Sequence, residues 1–358
     1  DVCSSDLDLS TLASLVLPTA EAELWRYSRI GELNLGDYRA AAVPNRVVGA
    51  NASSDSQIDL DAVSSEAPDV FEAYNSEHAQ VVRVATKRGE AVGAPVVVEH
   101  SLEESDVVCT PLLEIDAAEN SEITVVERFT SNDDARSLVI PSVRIRAAQS
   151  ARVTYVQVNE LGRATWSIGY QRASGDRDSS ISTSTIALGG DYARVRAGVR
   201  LVGTGASAKQ VALYFADGSQ MHDFRTLQDH VAPRTRSDLL FKGAVKDTAK
   251  SVYTGLIKIR DTADKAEAFQ TNRNLTLSSG AWAESVPNLE IETNDVKCSH
   301  ASTVGPIDDE QRFYLESRGI RPEIAERLVV FGFFADVIDR LPAAAQPDVL
   351  RQKVGARI

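Results

Sequence analysis

Cys298 and His300 stand two positions apart and form the most chemically suggestive pair in the chain. On an extended strand, residues i and i+2 project from the same face, about 6.5–7 Å apart. A thiolate and an imidazole are both soft or borderline donors suited to iron. Two donors cannot close a four-coordinate site, so the spacing predicts half a site, completed from elsewhere in the chain or by a partner. Val296 falls on the same face, with Lys297 and Asp295 on the other. A plainer alternative therefore stands beside the first: Val296, Cys298 and His300 line a core, the thiol as a small hydrophobe and the imidazole as hydrogen-bonded structure.

The other reactive residue types form no such pattern. His222 and His230 bracket the stretch MHDFRTLQDH, and His78 and His100 fall near strand ends. None has a nucleophile and an acid at catalytic spacing, so they read as structural or surface groups. Cys109 sits near Pro111 at a loop-like position and reads as an ordinary thiol. Gly203–Ala208 (GTGASA) fits a dinucleotide-binding pattern, but a strand and not a helix follows it, and a phosphate site of that type needs the helix N-terminus. No GxxxxGK[ST] phosphate loop occurs. Arg234, Arg236, Lys242, Lys246 and Lys250 cluster in sequence. They read first as a solvated face and second as a charged subunit contact. Without interleaved aromatics, nucleic-acid binding is a distant third.

Three kinds of element must position these residues. Residues 1–78 read as a partly helical N-terminal region, with a short helix over Thr19–Arg29 capped by Thr19 and a polar loop over residues 51–66. Across 79–305 short Val-, Ile-, Thr- and Tyr-rich runs recur between Gly, Asn, Asp and Ser clusters, as in Gln80–Thr86, Ile123–Phe129, Ser180–Leu188 and Ser251–Arg260. Such punctuation predicts many short strands in a sandwich, barrel or solenoid, and no clean repeat chooses among them. Residues 306–358 turn helical: Asp308 with Gln311 resembles a capping box, Gly319 closes that helix, and Pro322 opens another that stops before Pro342. Leu328–Phe334 (LVVFGFF) is apolar on every face, whereas a helix covering a sheet needs one apolar stripe. The excess predicts a second buried contact, within the chain or with a partner.

Composition narrows the class further. A net charge of −13 over 358 residues argues against a general affinity for nucleic acid or anionic membrane. No apolar stretch approaches the roughly 20 residues that span a bilayer, and a cytoplasmic location is the default expectation. The opening DVCSSDL reads as translated sequencing-adaptor DNA, so residues 1–7, with Cys3, are set aside and a native N-terminal segment is expected to be missing.

From Asp229 to about Pro342 the chain resembles the SufB/SufD family of iron–sulfur cluster assembly proteins. The resemblance rests on DHVAPRTRSDLLFKGAVKDTAKSVYTGLIKIR and on QTNRNLTLSSGAWAESVPNLEIETNDVKCSHASTVGPIDDEQRFYLESRGI; upstream, WRYSRIGELNLGDY is a weaker match. SufB-type chains carry a cluster-building cysteine in the strand after their VPN-like segment. Here Ile291 takes that place, while the SufD-type hallmark DVKCSH is intact. The resemblance therefore leans to the SufD type, with a SufB-type subunit carrying the nascent cluster itself as the rival.

Several expectations follow from the resemblance. It implies a mainly β fold: a right-handed parallel β-helix core flanked by helical regions. It implies a non-catalytic scaffold that pairs with SufB around a transient iron–sulfur cluster and docks the SufC ATPase, or a homodimer when alone. His300 and Cys298 are then candidate interface ligands, and Phe313, Tyr314, Arg318, Leu328, Phe331 and Phe334 a candidate SufC docking surface. A flavin in the complex is compatible with the family and is not read from these residues. A polysaccharide-active β-helix would need a carboxylate pair and aromatic sugar platforms, and only 6% of the residues are aromatic.

Overall fold

The computed structural model describes residues 12, 14–49 and 57–358. Cys3, the proposed adaptor-derived start and residues 51–56 of the expected 51–66 loop lie outside the described residues; the described remainder of that loop holds a single helical turn, Leu60–Val63. In the described part, twenty strands build two parallel sheets that wind into a β-solenoid of about eight turns. The fold is mainly β, with helical regions at both ends, as the resemblance implied.

The regular part of the solenoid alternates between its sheets. One sheet stacks β11 (Trp166–Gly175), β13 (Tyr192–Leu201), β15 (Met221–His230), β17 (Lys250–Ile259) and β19 (Trp282–Ile291). The other stacks β7 (Glu122–Ser131), β10 (Arg152–Glu160), β12 (Ser180–Ala187), β14 (Ser207–Ala216), β16 (Arg236–Val245), β18 (Glu267–Thr276) and β20 (Lys297–Gly305). The shorter strands β1 (Arg39–Ala40), β3 (Gln80–Ala85), β5 (Val107–Cys109), β6 (Pro111–Ala117), β8 (Leu138–Val139) and β9 (Ser142–Ala147) extend the first sheet. The second begins with β2 (Asn45–Val48), antiparallel to β4 (Val96–Leu102).

Each coil spends about ten residues per strand. Register partners stand 26 residues apart at Trp166↔Tyr192 and 32 apart at Lys250↔Trp282, so turn length varies while strand stacking does not. The turns explain why no repeat motif is visible. Asn120, Ser150, Asp178, Gly205, Arg234 and Lys265 occupy equivalent positions, and all have positive φ. Each donates its backbone N–H to the next coil: Asp178 to Thr204 O at 3.0 Å, Arg234 to Asp264 O at 2.9 Å. That stacked hydrogen bond offsets the roughly 1–2 kcal/mol that a side chain costs in the left-handed region, so the position need not be glycine. Gly203 is different. A Cβ there would lie 1.9 Å from the Arg177 nitrogen, so the GTGASA glycines serve turn stacking and not a phosphate.

Two coverings clad the solenoid. On the first sheet lie Trp25, Phe71 and Tyr74 from the N-terminal region, packed on Trp166, Ile168, Tyr170 and Tyr192. Buried ion pairs clamp the same layer: Arg172 to Glu72 at 2.8 Å and to Glu66 at 2.6 Å, and Arg194 to Asp223. The helix expected over Thr19–Arg29 is only a 3₁₀ turn, Glu23–Trp25, preceded by Ala22 rather than capped by Thr19. Its packing onto Arg194, which lies 4.2 Å from the Trp25 ring, replaces helical hydrogen bonding as the local stabiliser. A true helix follows, α2 (Val70–His78), after the single turn α1 (Leu60–Val63). Asp69 caps it through Phe71 N and Glu72 N.

The second sheet is covered by α4 (Pro322–Ile338) and α5 (Pro347–Gly355), with Val330, Phe334, Val337 and Ile338 set against Val211, Leu213 and Phe215, while α3 (Asp309–Ser317) precedes them and buries no residue. Asp308 accepts from Glu310 N and Gln311 N, and Gly319 follows α3 with φ +85°. Among the described residues no helix is long and apolar enough to cross a membrane.

Candidate functional site

Both coverings leave most of the last coil exposed. The strands β19 and β20 each have one strand partner, β17 and β18, and no second one among the described residues. Their free edges carry unpaired backbone donors and acceptors. The interior of the solenoid opens here, and residues that point inward are left in solvent. Leu289 is 38% exposed, Ile291 44% and Val304 42%.

Cys298 and His300 both lie on β20 and point into this mouth. Cys298 packs with Val296 against Ile257, Ile259 and Ala268, while Lys297 points outward and reaches Glu267 at 2.8 Å. Two residues beyond His300, Ser302 Oγ donates to Ser285 Oγ across the two sheets at 2.7 Å. His300, between Cys298 and Ser302 in the alternation, shares their face and is exposed. The core-lining alternative holds for Cys298, which joins the core edge, and not for His300, which is exposed above it. Burial raises the Cys298 thiol above its usual value, which disfavours the thiolate that a metal needs. No three His, Cys, Asp or Glu side chains converge among the described residues. The mouth therefore offers one accessible imidazole and one half-buried thiol.

His100, His222, His230 and Cys109 are interior, while His78 ends α2 and is only partly buried. His222 and His230 are fully buried, and desolvation pushes both down to about 4. His230 is held by Thr235 Oγ1 at 2.8 Å and Ser237 Oγ at 2.7 Å. His100 contacts Glu127 at 3.0 Å inside the core. Cys109 ends a buried strand rather than sitting in a loop, and burial pushes its thiol up to about 12.

The basic cluster is not one solvated face. Lys242 is buried and donates to Phe333 O at 2.8 Å and Asp336 Oδ1 at 2.5 Å, and Lys246 donates to Arg357 O at 3.1 Å. These lysines fasten the C-terminal helices to the sheet, a role that requires the tertiary fold to see.

The six helical docking candidates separate into two groups. Phe313 (71%), Tyr314 (57%), Leu328 (46%) and Arg318 are exposed, with the Arg318 guanidinium 5.2 Å from the Tyr314 ring centre. Of these, Tyr314 and Leu328 line a groove of about 1120 Å³ between α3, α4 and the sheet, together with Arg273, Leu275 and Val329. Phe334 is fully buried, its ring 6.4 Å from Phe215, and so cannot present a surface. Phe331 turns partly inward against Gly355, where a Cβ would meet its ring at 2.5 Å. The over-apolar helix thus spends part of its excess within its own domain. Sequence reasoning missed the exposed Tyr27–Trp282 ring pair, 5.8 Å apart beside the open end, because no local pattern joins residues so distant in the chain.

Residues 100–333 match the family described as "SUF system FeS cluster assembly, SufBD core domain". The chain belongs to the SufBD family. It is 28% identical to the Escherichia coli iron-sulfur cluster assembly protein SufD over 98% of this chain and 90% of that protein. It is 32% identical to an iron-sulfur cluster assembly SufBD family protein of Mycobacterium leprae, over 95% of this chain and 89% of that protein. A Mycobacterium tuberculosis protein of the same description is 43% identical over 58% of this chain; the match spans 54%, about half, of that relative's length. The matched SufBD core contains the open mouth, Cys298, His300 and all but one of the six helical docking candidates, Phe334 lying one residue past its end.

Proposed function

We propose that this SufBD chain is a SufD-type scaffold, half of an iron–sulfur cluster site and not a catalyst in its own right. The observation that carries this reading is the uncapped last coil, where two free strand edges frame exposed apolar side chains and His300. A SufB subunit would continue both sheets across those edges, and His300 would offer one ligand to the cluster forming between the chains. Cys298, half-buried with a raised thiol, is the weaker donor. Ile291 points into the mouth from β19, as its register with Ile259 places it, where a SufB-type chain would carry its cysteine. That leaves the cluster-building thiolate to the partner.

The exposed group Phe313, Tyr314, Arg318 and Leu328 is the proposed SufC docking surface, with Phe331 at its margin. Co-purification with SufB and SufC, followed by absorption spectra after anaerobic reconstitution, tests both parts. We expect His300→Ala to form the complex but to lose most of the cluster absorbance, and Cys298→Ser to lose less. Normal cluster formation by His300→Ala would remove the ligand assignment. Flavin in the purified complex would show in the same spectrum.

A further inference from the structure

The floor of the mouth contains an amide with nothing to bind. Gln270 is 2% exposed, and neither its Oε1 nor its Nε2 has a hydrogen-bond partner among the described residues. Leaving such a group unpaired in a core costs about 1–3 kcal/mol, so its persistence calls for a partner. Its position is fixed by the ladder. Gln270 is the register partner of His300, so the two side chains leave adjacent rungs on the same face, about 4.8 Å apart. The amide reaches across the interior to the opposite sheet: a Cβ on Gly255 would lie 2.5 Å from Gln270 Nε2. Gly255 is in turn the register partner of Pro287, which faces His300 across the mouth. The Gln270 amide thus spans the floor of the mouth one rung beneath His300.

The Tyr253 hydroxyl stands nearest, 2.4 Å from that same Gly255 Cβ position, but it is engaged with Thr226 Oγ1 at 2.9 Å and makes no bond to the amide. Gln228 also points inward, but its Nε2 already donates to Ser237 Oγ at 2.6 Å, and only its Oε1 is free. An acceptor there can satisfy the Gln270 NH₂ and leaves the Gln270 Oε1 without a donor. A ring N–H of His300 is the donor in register with it.

We propose that Gln270 is a positioning residue for His300: its amide oxygen accepts one ring N–H, directly or through one water, when the imidazole lies over the floor of the mouth. The other ring nitrogen then keeps its lone pair and faces the opening. This is how a hydrogen bond at one nitrogen selects the nitrogen that can ligate a metal. The inference rests on the reading of His300 as an interface ligand, and it reaches the metal only through His300.

The test is ¹⁵N NMR of the full chain labelled at histidine, at pH 8. His300→Ala identifies the His300 signals by their loss. We expect one tautomer of His300 to dominate in the unmodified chain, a mixture in Gln270→Leu, and the single tautomer again in Gln270→Glu, which keeps an acceptor. Circular dichroism of each variant checks the fold. With SufB and SufC present, Gln270→Leu should lower retained iron by about tenfold, the lower end of outer-shell effects. The same His300 tautomer mixture in the unmodified chain and Gln270→Leu would overturn the proposal. Failure of the underlying reading shows separately, as normal cluster formation by His300→Ala despite a locked tautomer.

Discussion

Two residues with similar side chains end in opposite roles because of one dimension, depth along the solenoid axis. His230 and His300 both point inward from a strand, but coils above His230 remove it from water and none covers His300. Desolvation disfavours the imidazolium, so His230 and the equally buried His222 fall to about 4. Their folded values lie below an unfolded value of about 6.5. The folded state therefore binds fewer protons in that interval. Its stability is complete above about pH 6.5 and declines as pH falls towards 4, by up to about 1.4 kcal/mol per pH unit for each histidine. Urea unfolding at pH 7, 6 and 5 should show that slope, and substituting both residues by Gln should flatten it between pH 6.5 and 5. An unchanged slope in the double variant would mean that other groups dominate acid sensitivity.

At the scale of elements, α4 answers the question its composition raised. An all-round apolar helix needs contacts on more than one face. Val330, Phe334, Val337 and Ile338 fill the sheet side, Phe331 turns to α5, and Leu328 is left in the groove with Tyr314. Phe334→Ala should cost about 3–5 kcal/mol of stability, the range for emptying a buried aromatic site, measured by chemical denaturation. Phe313→Ala should cost under about 0.5 kcal/mol, as an exposed substitution, and yet weaken co-purification with SufC. A Phe313 variant that unfolds early would place that ring in the core instead. Lys242 and Lys246 belong to the same element-level design, since each spends its ammonium on helix or chain-end carbonyls rather than on solvent.

For the whole molecule, the coverings decide where the solenoid is open. The N-terminal layer turns first-sheet strands such as β11 and β15 into runs buried on both faces, the C-terminal helices bury much of β14 and β16 in the second, and β19 and β20 are left exposed. Free parallel edges beside exposed Leu289 and Ile291 are a template for another sheet. The isolated chain should therefore self-associate with rising concentration in sedimentation velocity. A Leu289→Lys, Ile291→Lys double variant should stay monomeric, because both side chains already meet solvent and the charge opposes closure of the mouth. Self-association that persists in the double variant would point to the helical groove as the contact instead.

The local parts of this protein were legible in its residues. Alternating β-branched runs marked Gln80–Thr86, Ser180–Leu188 and Ser251–Arg260 as strands, because side-chain alternation is a property of the strand itself. Asp308, Gly319 and Pro322 marked helix ends, because caps act within a turn. The stretch DVKCSH, with its neighbours, carried the family. Strands such as Trp166–Gly175 and Met221–His230 were hidden, since burial on both faces erases alternation. The coil repeat was hidden too, since stacked turn hydrogen bonds let Asn, Ser, Asp, Arg and Lys share one glycine-like position. Only the tertiary structure decided that Phe334 is core, that Lys242 is a clamp, and that His300 stands at an open end above an unpaired glutamine. Each of those follows from which coil comes last and what covers the others, a fact no local spacing contains.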